Sequence, residues 1–123
     1  MRIIINGAGG RMGQAVLRKI QERPGLEAAA LVSMEFETDA AAGRYQSIGE
    51  CDVPADVVID FSHHTAAPVL ASWCASRNIP AVIATTGLTE EERGAVEDAA
   101  KKIPVFYSAN MSLGIALLKK LAK

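Results

Sequence analysis

Four glycines, Gly7, Gly9, Gly10 and Gly13, stand between a short apolar run and a helix-like pattern. Glycine is costly to order, so this concentration indicates a backbone that side chains would obstruct. The spacing G-x-x-G-x-x-G through Gly7, Gly10 and Gly13 is typical of a strand–turn–helix that binds a dinucleotide pyrophosphate, with phosphate oxygens held at the helix N-terminus. The alternative is a turn whose glycines serve close packing alone.

Apolar runs alternate with helical patterns along the rest of the chain. Strands are predicted at RIIIN (2–6), VVIDF (57–61), AVIATT (81–86) and PVFYS (104–108), with weaker ones at LEAAALVS (26–33) and around 45–48. Helices are predicted at 12–20, 65–76, 112–123 and after a capping box that runs from Thr89 to Glu92. This alternation predicts an α/β fold over 1–123: a doubly wound, mostly parallel, Rossmann-type sheet with helices on both faces.

Composition narrows the classes of function. The chain has 123 residues and a net charge of -1, from 13 basic and 14 acidic side chains, so there is no electrostatic case for nucleic acid or an anionic membrane. We find neither a signal peptide nor an apolar run of spanning length, and we expect a cytoplasmic protein. Cys51 and Cys74 are isolated in sequence and are expected to be plain buried thiols rather than metal ligands.

The ends of the other predicted strands supply further candidate contacts. After the second strand, "VSMEFE" offers Ser33 or Glu35 to a cofactor ribose, and the sequence leaves open which of them points inward. Acids without a following Lys or Arg would repel a 2′-phosphate, which favours NADH over NADPH. The adjacent His63 and His64 are expected at an exposed helix start, without a catalytic or metal-binding role.

Four segments in order, "GAGGRMG", "DVVIDFS", "ATTGL" and "SANMSLGI", resemble the N-terminal half of bacterial dihydrodipicolinate reductase. The resemblance covers essentially the whole chain. It implies an NAD(P)H-dependent reductase of diaminopimelate and lysine biosynthesis, which transfers a hydride to a cyclic imine-like dicarboxylate. At the ribose-binding position this chain has Ser33 where relatives often have an acid, and Met34 where they have a basic residue. Glu35 is the candidate substitute.

The resemblance also implies a set of cofactor contacts. The pyrophosphate would lie on Gly7, Ala8, Gly9, Gly10, Arg11 and Met12. Phe61 and Ser62 would line the nicotinamide side. The next cofactor-contacting loop would consist of Ala84, Thr85 and Thr86, and the last, near the hinge to a second domain, of Ser108, Ala109, Asn110 and Met111. The helix at 112–123 would lead toward a C-terminal domain, absent from this chain, that supplies the acid–base histidine and forms a homotetramer.

We therefore expect this chain to carry no catalytic residue, and to bind NAD or NADP, with NADH slightly preferred, without reductase activity of its own. Two alternatives remain open at this stage. One is a non-catalytic nucleotide-sensing module that docks a partner through its C-terminal helix. The other is a different small reductase, or a binder of coenzyme A, that uses the same glycine turn.

Overall fold

A computed structural model describes residues 1–85 and 87–107, which form one parallel sheet with the strand order β3-β2-β1-β4-β5-β6. The elements are β1 (Arg2–Asn6), α1 (Arg11–Gln21), β2 (Glu27–Val32), β3 (Arg44–Tyr45), β4 (Val57–Asp60), α2 (Ala67–Arg77), β5 (Ala81–Ile83), α3 (Glu90–Ala100) and β6 (Val105–Tyr107). Single 3₁₀ turns lie at Ala40–Ala42, Ile48–Glu50 and His64–Ala66. The order reverses between β1 and β4, and in sheets of this kind ligands bind at the carboxyl ends of the strands on either side of such a reversal.

Both faces of the sheet are covered, as the continuous apolar runs predict. Along β1, Ile3 and Ile5 pack on the side of α1, while Ile4 packs on the opposite side with Leu70 and Trp73 of α2. Helix α3 packs beside α2 on that second side. Because successive strand side chains point to opposite faces, a strand covered on both sides must be apolar throughout. The predicted α/β class is confirmed.

Several predicted boundaries shift. The strand predicted at 81–86 ends at Ile83, and the one predicted around 45–48 lies at Arg44–Tyr45, with Ile48 opening a 3₁₀ turn. In α1, Gly13 is buried and Met12, predicted on the buried stripe, is 41% exposed. Helix α1 contacts the turn at position 13, where only glycine fits. The buried stripe of the helix therefore runs through Gly13, Val16 and Ile20 and leaves out Met12. The helix predicted at 112–123 lies outside the described residues.

Two thiols are free and buried, as predicted: Cys51 and Cys74. Burial raises the pKa of both, in the case of Cys74 to about 12. A thiol with so high a pKa carries little thiolate at neutral pH and is a poor nucleophile or metal ligand. Among the residues described, no helix is both long and apolar enough to cross a bilayer.

Candidate functional site

Two glycines of the turn are required by the packing of the protein itself. Gly7 has a φ of +85°, and a Cβ there would lie 2.7 Å from the backbone nitrogen of Ser62, in the loop after β4. A Cβ on Gly13 would lie 2.4 Å from the carbonyl oxygen of Gly7. Both distances are far shorter than real contacts, so these glycines allow β1, the β4 loop and α1 to approach one another.

Gly10 is different, because no contact among the residues that the structure describes requires glycine there. Its φ is -80°, and an added Cβ would meet only the Gly7 carbonyl oxygen, at an ordinary contact distance of 3.5 Å. Gly10 is the N-cap of α1 and lines the cavity described below. The space that a side chain would fill therefore opens on a cavity, as a backbone that receives a phosphate needs.

The N-terminus of α1 is also left open to a ligand. No side chain caps it, and its first turn contains no acid. In α3, by contrast, the Thr89 hydroxyl accepts from the Glu92 N–H at 3.2 Å, and the Glu92 carboxylate accepts from the Thr89 N–H at 2.9 Å. That arrangement confirms the predicted capping box. The uncapped N–H groups and the positive end of the helix dipole make the start of α1 suited to binding an anion. At the start of α3, the capping box already provides acceptors for the corresponding N–H groups.

A cavity of about 400 Å³ crosses the point where the strand order reverses. Six residues predicted from the sequence line it: Gly7, Gly10, Ser33, Glu35, Phe61 and Ser62. Sequence reasoning missed a second group of lining residues: Asn6, Gln46, Ser47, Ile48, His63, Thr65, Ala66 and Val69. The signal for 46–48 was its position directly after the short β3. Val69 had no signal in the sequence, and only the structure shows that this apolar side chain of α2 is 64% exposed.

The remaining predicted residues surround this cavity or fall outside the description. Ala8 is buried and donates its N–H to Val32 at 2.9 Å, while Gly9 faces Ser33. Arg11 and Met12 are exposed in the first turn of α1. Ala84 and Thr85 follow β5 at the same edge of the sheet. Outside the described residues lie Thr86, Ser108, Ala109, Asn110 and Met111.

Ser33 and Glu35 both face the glycine turn, which answers the choice that the sequence left open. A Cβ on Gly9 would lie 2.5 Å from Ser33 Oγ and 3.0 Å from Glu35 Oε2. The backbone N–H of Glu35 donates to Ser33 Oγ at 3.3 Å, which bends the loop so that both side chains point the same way. Of the described residues that line the cavity, Glu35 is acidic and none is Lys or Arg.

A hydrogen-bond network at Asp60 joins three strand ends. The Asp60 carboxylate is fully buried, and its Oδ1 accepts from Asn6 Nδ2 at 3.2 Å, from the Ser62 N–H at 2.9 Å and from the Ser62 hydroxyl. Thr85 Oγ1 donates to the Ser62 carbonyl at 2.7 Å. Burial raises the pKa of Asp60, against the opposing effect of these donors.

The two histidines lie at the start of the turn that leads into α2. His63 is exposed, with Nδ1 at 3.0 Å from Thr65 Oγ1, and His64 Nδ1 lies 2.6 Å from Glu92 Oε1. His64 therefore links this turn to the capping box of α3. Within 1–85 and 87–107, no group of three or more His, Cys, Asp or Glu side chains is arranged to hold a metal ion.

The link between His64 and Glu92 predicts a pH-dependent stability. Donation from the Thr89 N–H, and then from His64, holds the pKa of Glu92 below its usual range. The ionised Glu92 carboxylate therefore stabilises the fold fully above its pKa in the unfolded chain, about 4.3. That stabilisation is lost as the pH falls through the lower pKa that Glu92 has in the folded chain. We expect Glu92→Gln to lower the melting temperature by several degrees at pH 7, and the difference to shrink below about pH 4.

Thermal unfolding between pH 7 and pH 3 tests this expectation, with Glu91→Gln as the matched control. Glu91 is an exposed acid in the same helical turn, so it shares the helix-dipole effect without the capping contacts. A Glu92→Gln effect no larger than that of Glu91→Gln at pH 7 would contradict the prediction.

Comparison with known proteins places this geometry in context. A family model described as "Dihydrodipicolinate reductase, N-terminus" matches residues 1–111. The 4-hydroxy-tetrahydrodipicolinate reductase of Caldanaerobacter subterraneus subsp. tengcongensis is 49% identical over 124 aligned residues, which cover 100% of this chain and 49% of that protein. The chain thus spans about half the length of the curated relatives it matches.

Solved structures show the same fold. The dipicolinate-bound dihydrodipicolinate reductase from Paenisporosarcina sp. TG-14 aligns with a TM-score of 0.76 at 20% identity, over 98% of this chain and 51% of that one. The WlbA dehydrogenase from Chromobacterium violaceum, in complex with NADH and UDP-GlcNAcA, aligns with a TM-score of 0.68 at 17% identity, over 87% of this chain and 34% of that one.

Proposed function

The chain belongs to the family of dihydrodipicolinate reductase N-termini, and from that premise we propose that it is the NAD(P)H-binding part of a reductase that acts on a cyclic imine-like dicarboxylate. The observation that carries the proposal is the space at Gly10. A Cβ there would strain no backbone and would closely meet no atom of residues 1–85 and 87–107, yet the position is glycine. It opens on the cavity, beside a helix start that no described side chain caps. Packing alone does not account for that glycine.

The residues present fit a dinucleotide. Gly10 and the first N–H groups of α1 would bind the pyrophosphate, with Arg11 adding positive charge at the same helix end. Ser33 and Glu35 would contact the adenosine ribose, and Phe61, Ser62 and Thr85 would lie toward the nicotinamide. When bound, NAD(P)H supplies the hydride, and this chain's part is to bind and orient it. By family resemblance, Ala84, Thr86 and Ser108 to Met111 complete the contacts.

We assign the groups that bind the substrate and donate the proton to the part of the relatives' sequences that this chain does not match, which is about half of their length. The relative from Paenisporosarcina was solved with dipicolinate, a cyclic dicarboxylate, which supports the proposed class of substrate. We expect the 123-residue chain to bind the reduced cofactor and to show negligible turnover. His63 and His64 are not assigned a catalytic role; Nδ1 of His63 contacts Thr65, and Nδ1 of His64 contacts Glu92 in the capping box of α3.

A fluorescence titration with NADH and NADPH tests the proposal and the preference between them. The carboxylate of Glu35 in the cavity would accept from a ribose 2′-hydroxyl and repel a 2′-phosphate, so we expect NADH to bind about tenfold more tightly or better. Glu35→Gln should narrow that ratio, chiefly by improving the binding of NADPH.

Glu37→Gln is the matched control, because Glu37 is an exposed acid of the same loop that does not line the cavity. Tighter binding of NADPH than of NADH would contradict the preference. Displacement of NADH by coenzyme A at equal concentration would instead favour a nucleotide binder of another class, and no binding of either dinucleotide would overturn the proposal.

A further inference from the structure

Asp60 is a buried carboxyl group that direct cofactor contacts leave without a role. It ends β4, between the ends of β1 and β5, and has no exposed surface. Burying a carboxyl group is unfavourable unless hydrogen bonds compensate for lost water, and here three donors converge on Oδ1. Two of those donors belong to Ser62, which lines the cavity. Asp60 therefore acts on the cavity through the hydrogen bonds that it accepts from Ser62.

The contact fixes the direction in which Ser62 can form hydrogen bonds. A serine hydroxyl has a single hydrogen and two lone pairs. The Ser62 hydroxyl donates its hydrogen to Asp60 Oδ1, and one lone pair accepts from Asn6 Nδ2 at 3.4 Å. What it retains for the cavity is therefore one acceptor lone pair. Thr85 is committed in a similar way, because its hydroxyl donates to the Ser62 carbonyl at 2.7 Å. The loop after β4 is thus held from both sides.

Ser62 donates its hydroxyl hydrogen to Asp60 whether the Asp60 carboxyl group is ionised or protonated. Oδ1 already accepts the three donors, so a proton on the carboxyl group belongs on Oδ2. Among the described residues, the hydrogen-bond partner of Oδ2 is Thr85 Oγ1, at 3.4 Å. Burial raises the pKa of Asp60 and so favours the protonated form, but it leaves Oδ1 as the acceptor for Ser62.

We propose that Asp60 is a positioning residue that presents Ser62 to the cavity as a hydrogen-bond acceptor, so that this side of the site selects a donor of the ligand, a ribose hydroxyl or a carboxamide N–H, over a phosphate oxygen. The inference rests on the proposed dinucleotide function. It also divides the site by chemistry: the phosphates bind at the N–H groups of α1, and donor-bearing groups bind at Ser62. An ionised phosphate oxygen has no hydrogen to offer Ser62 and would face its lone pairs.

Calorimetric titration with four ligands separates the two sources of the donor. ADP carries the adenosine and the two phosphates, and ADP-ribose adds the hydroxyls of the second ribose. The 3-acetylpyridine analogue of NAD adds a ring without a carboxamide N–H, and NAD has both the second ribose and the carboxamide. For the chain as it stands, we expect a gain in affinity of roughly 3- to 10-fold at one step of this series, the size of one hydrogen bond. A gain at ADP-ribose assigns the ribose hydroxyl, and a gain from the analogue to NAD assigns the carboxamide.

The variants test whether Asp60 acts through Ser62. Ser62→Ala should abolish that step and leave the affinity for ADP unchanged. Asp60→Ala should abolish the same step, and the double variant should lose no more than either single one, because the two residues form one unit. Asp60→Asn should restore the step, since its amide oxygen can accept at the position of Oδ1. Asp56→Asn is the matched control, an aspartate before β4 at the opposite end of the strand, paired with Arg2.

Each outcome decides the matter. If Asp60→Ala does not fold, Asp60→Leu, which is closer in shape to aspartate, replaces it. An undiminished gain in affinity along the ligand series in Ser62→Ala overturns the inference by itself. Equal weakening of ADP and NAD by the Asp60 variants would show a purely structural role and would also overturn it. Binding of ADP with no gain at any later step defeats the inference alone. Failure of ADP and NAD to bind the natural chain defeats the proposed function as well.

Discussion

Gly10→Ser is expected to fold at least as stably as the natural chain and to lose its affinity for dinucleotides. Serine is among the best N-cap residues, and the extended backbone at Gly10, with φ -80° and ψ 171°, is the conformation that a serine cap adopts. Its hydroxyl would accept from an N–H of the first turn of α1, which now has no side-chain cap. The gain over glycine should be a few tenths of a kcal/mol.

The same substitution should weaken the binding of NADH by at least about tenfold, or about 1.4 kcal/mol. The added Cβ and hydroxyl would occupy the space beside Gly10 and satisfy the N–H groups that a pyrophosphate needs. Stability and affinity should therefore change in opposite directions. That combination distinguishes a glycine that leaves space for a ligand from one that packing requires, because replacing a glycine that packing requires would destabilise the folded chain.

Thermal unfolding and NADH fluorescence titration of the same samples provide the two readings. Gly94→Ser is the matched control: an added Cβ at Gly94, in α3, meets no atom within 4 Å, and the position is remote from the cavity lining. It should leave the affinity unchanged. Binding of NADH by Gly10→Ser as tight as that of the natural chain would show that the cradle lies elsewhere.

Gly7→Ala is expected to destabilise the chain by roughly 2–5 kcal/mol, and Gly25→Ala isolates the part of that loss that comes from backbone strain. Both glycines have a φ of +85°, so alanine at either position carries the same left-handed backbone strain, about 1–2 kcal/mol. A Cβ on Gly25 meets nothing within 4 Å, whereas one on Gly7 lies 2.7 Å from the backbone of Phe61 and Ser62. Separating β1 from the loop after β4 should add a further 1–3 kcal/mol.

Urea unfolding of the two variants measures this difference directly. Subtracting the loss in Gly25→Ala from the loss in Gly7→Ala removes the backbone strain and leaves the effect of the close approach. Equal losses would mean that the β4 loop moves away from β1 freely. That result would contradict a rigid turn at the point where the strand order reverses.

Much of this architecture follows from local rules in the sequence. The apolar run of β1, the glycine turn and the capping box from Thr89 to Glu92 were predicted, because each depends on neighbours in the chain and on backbone geometry. The parallel sheet followed from the alternation of these elements. The chain likewise carried the motifs that the family match bears out.

The site itself was less accessible to sequence reasoning, because its parts lie far apart in the chain. The inward direction of both Ser33 and Glu35 depends on a loop hydrogen bond between them, and the contribution of 46–48 depends on a two-residue strand too short to show a period. The separate roles of Gly7 and Gly10 are equally invisible in a row of glycines. They become distinct only when the surrounding atoms are known.

The sequence by itself determined the succession of strands and helices along the chain, the glycine turn and the family, since these depend on short-range preferences and on the periodicity of apolar residues. Only the tertiary structure decided which glycine serves the fold and which leaves space for a ligand. It alone also brought Asn6, Ser62 and Thr85 together around Asp60. The physical reason is that these contacts join residues up to 56 positions apart, where burial and hydrogen-bond geometry depend on packing rather than on local pattern.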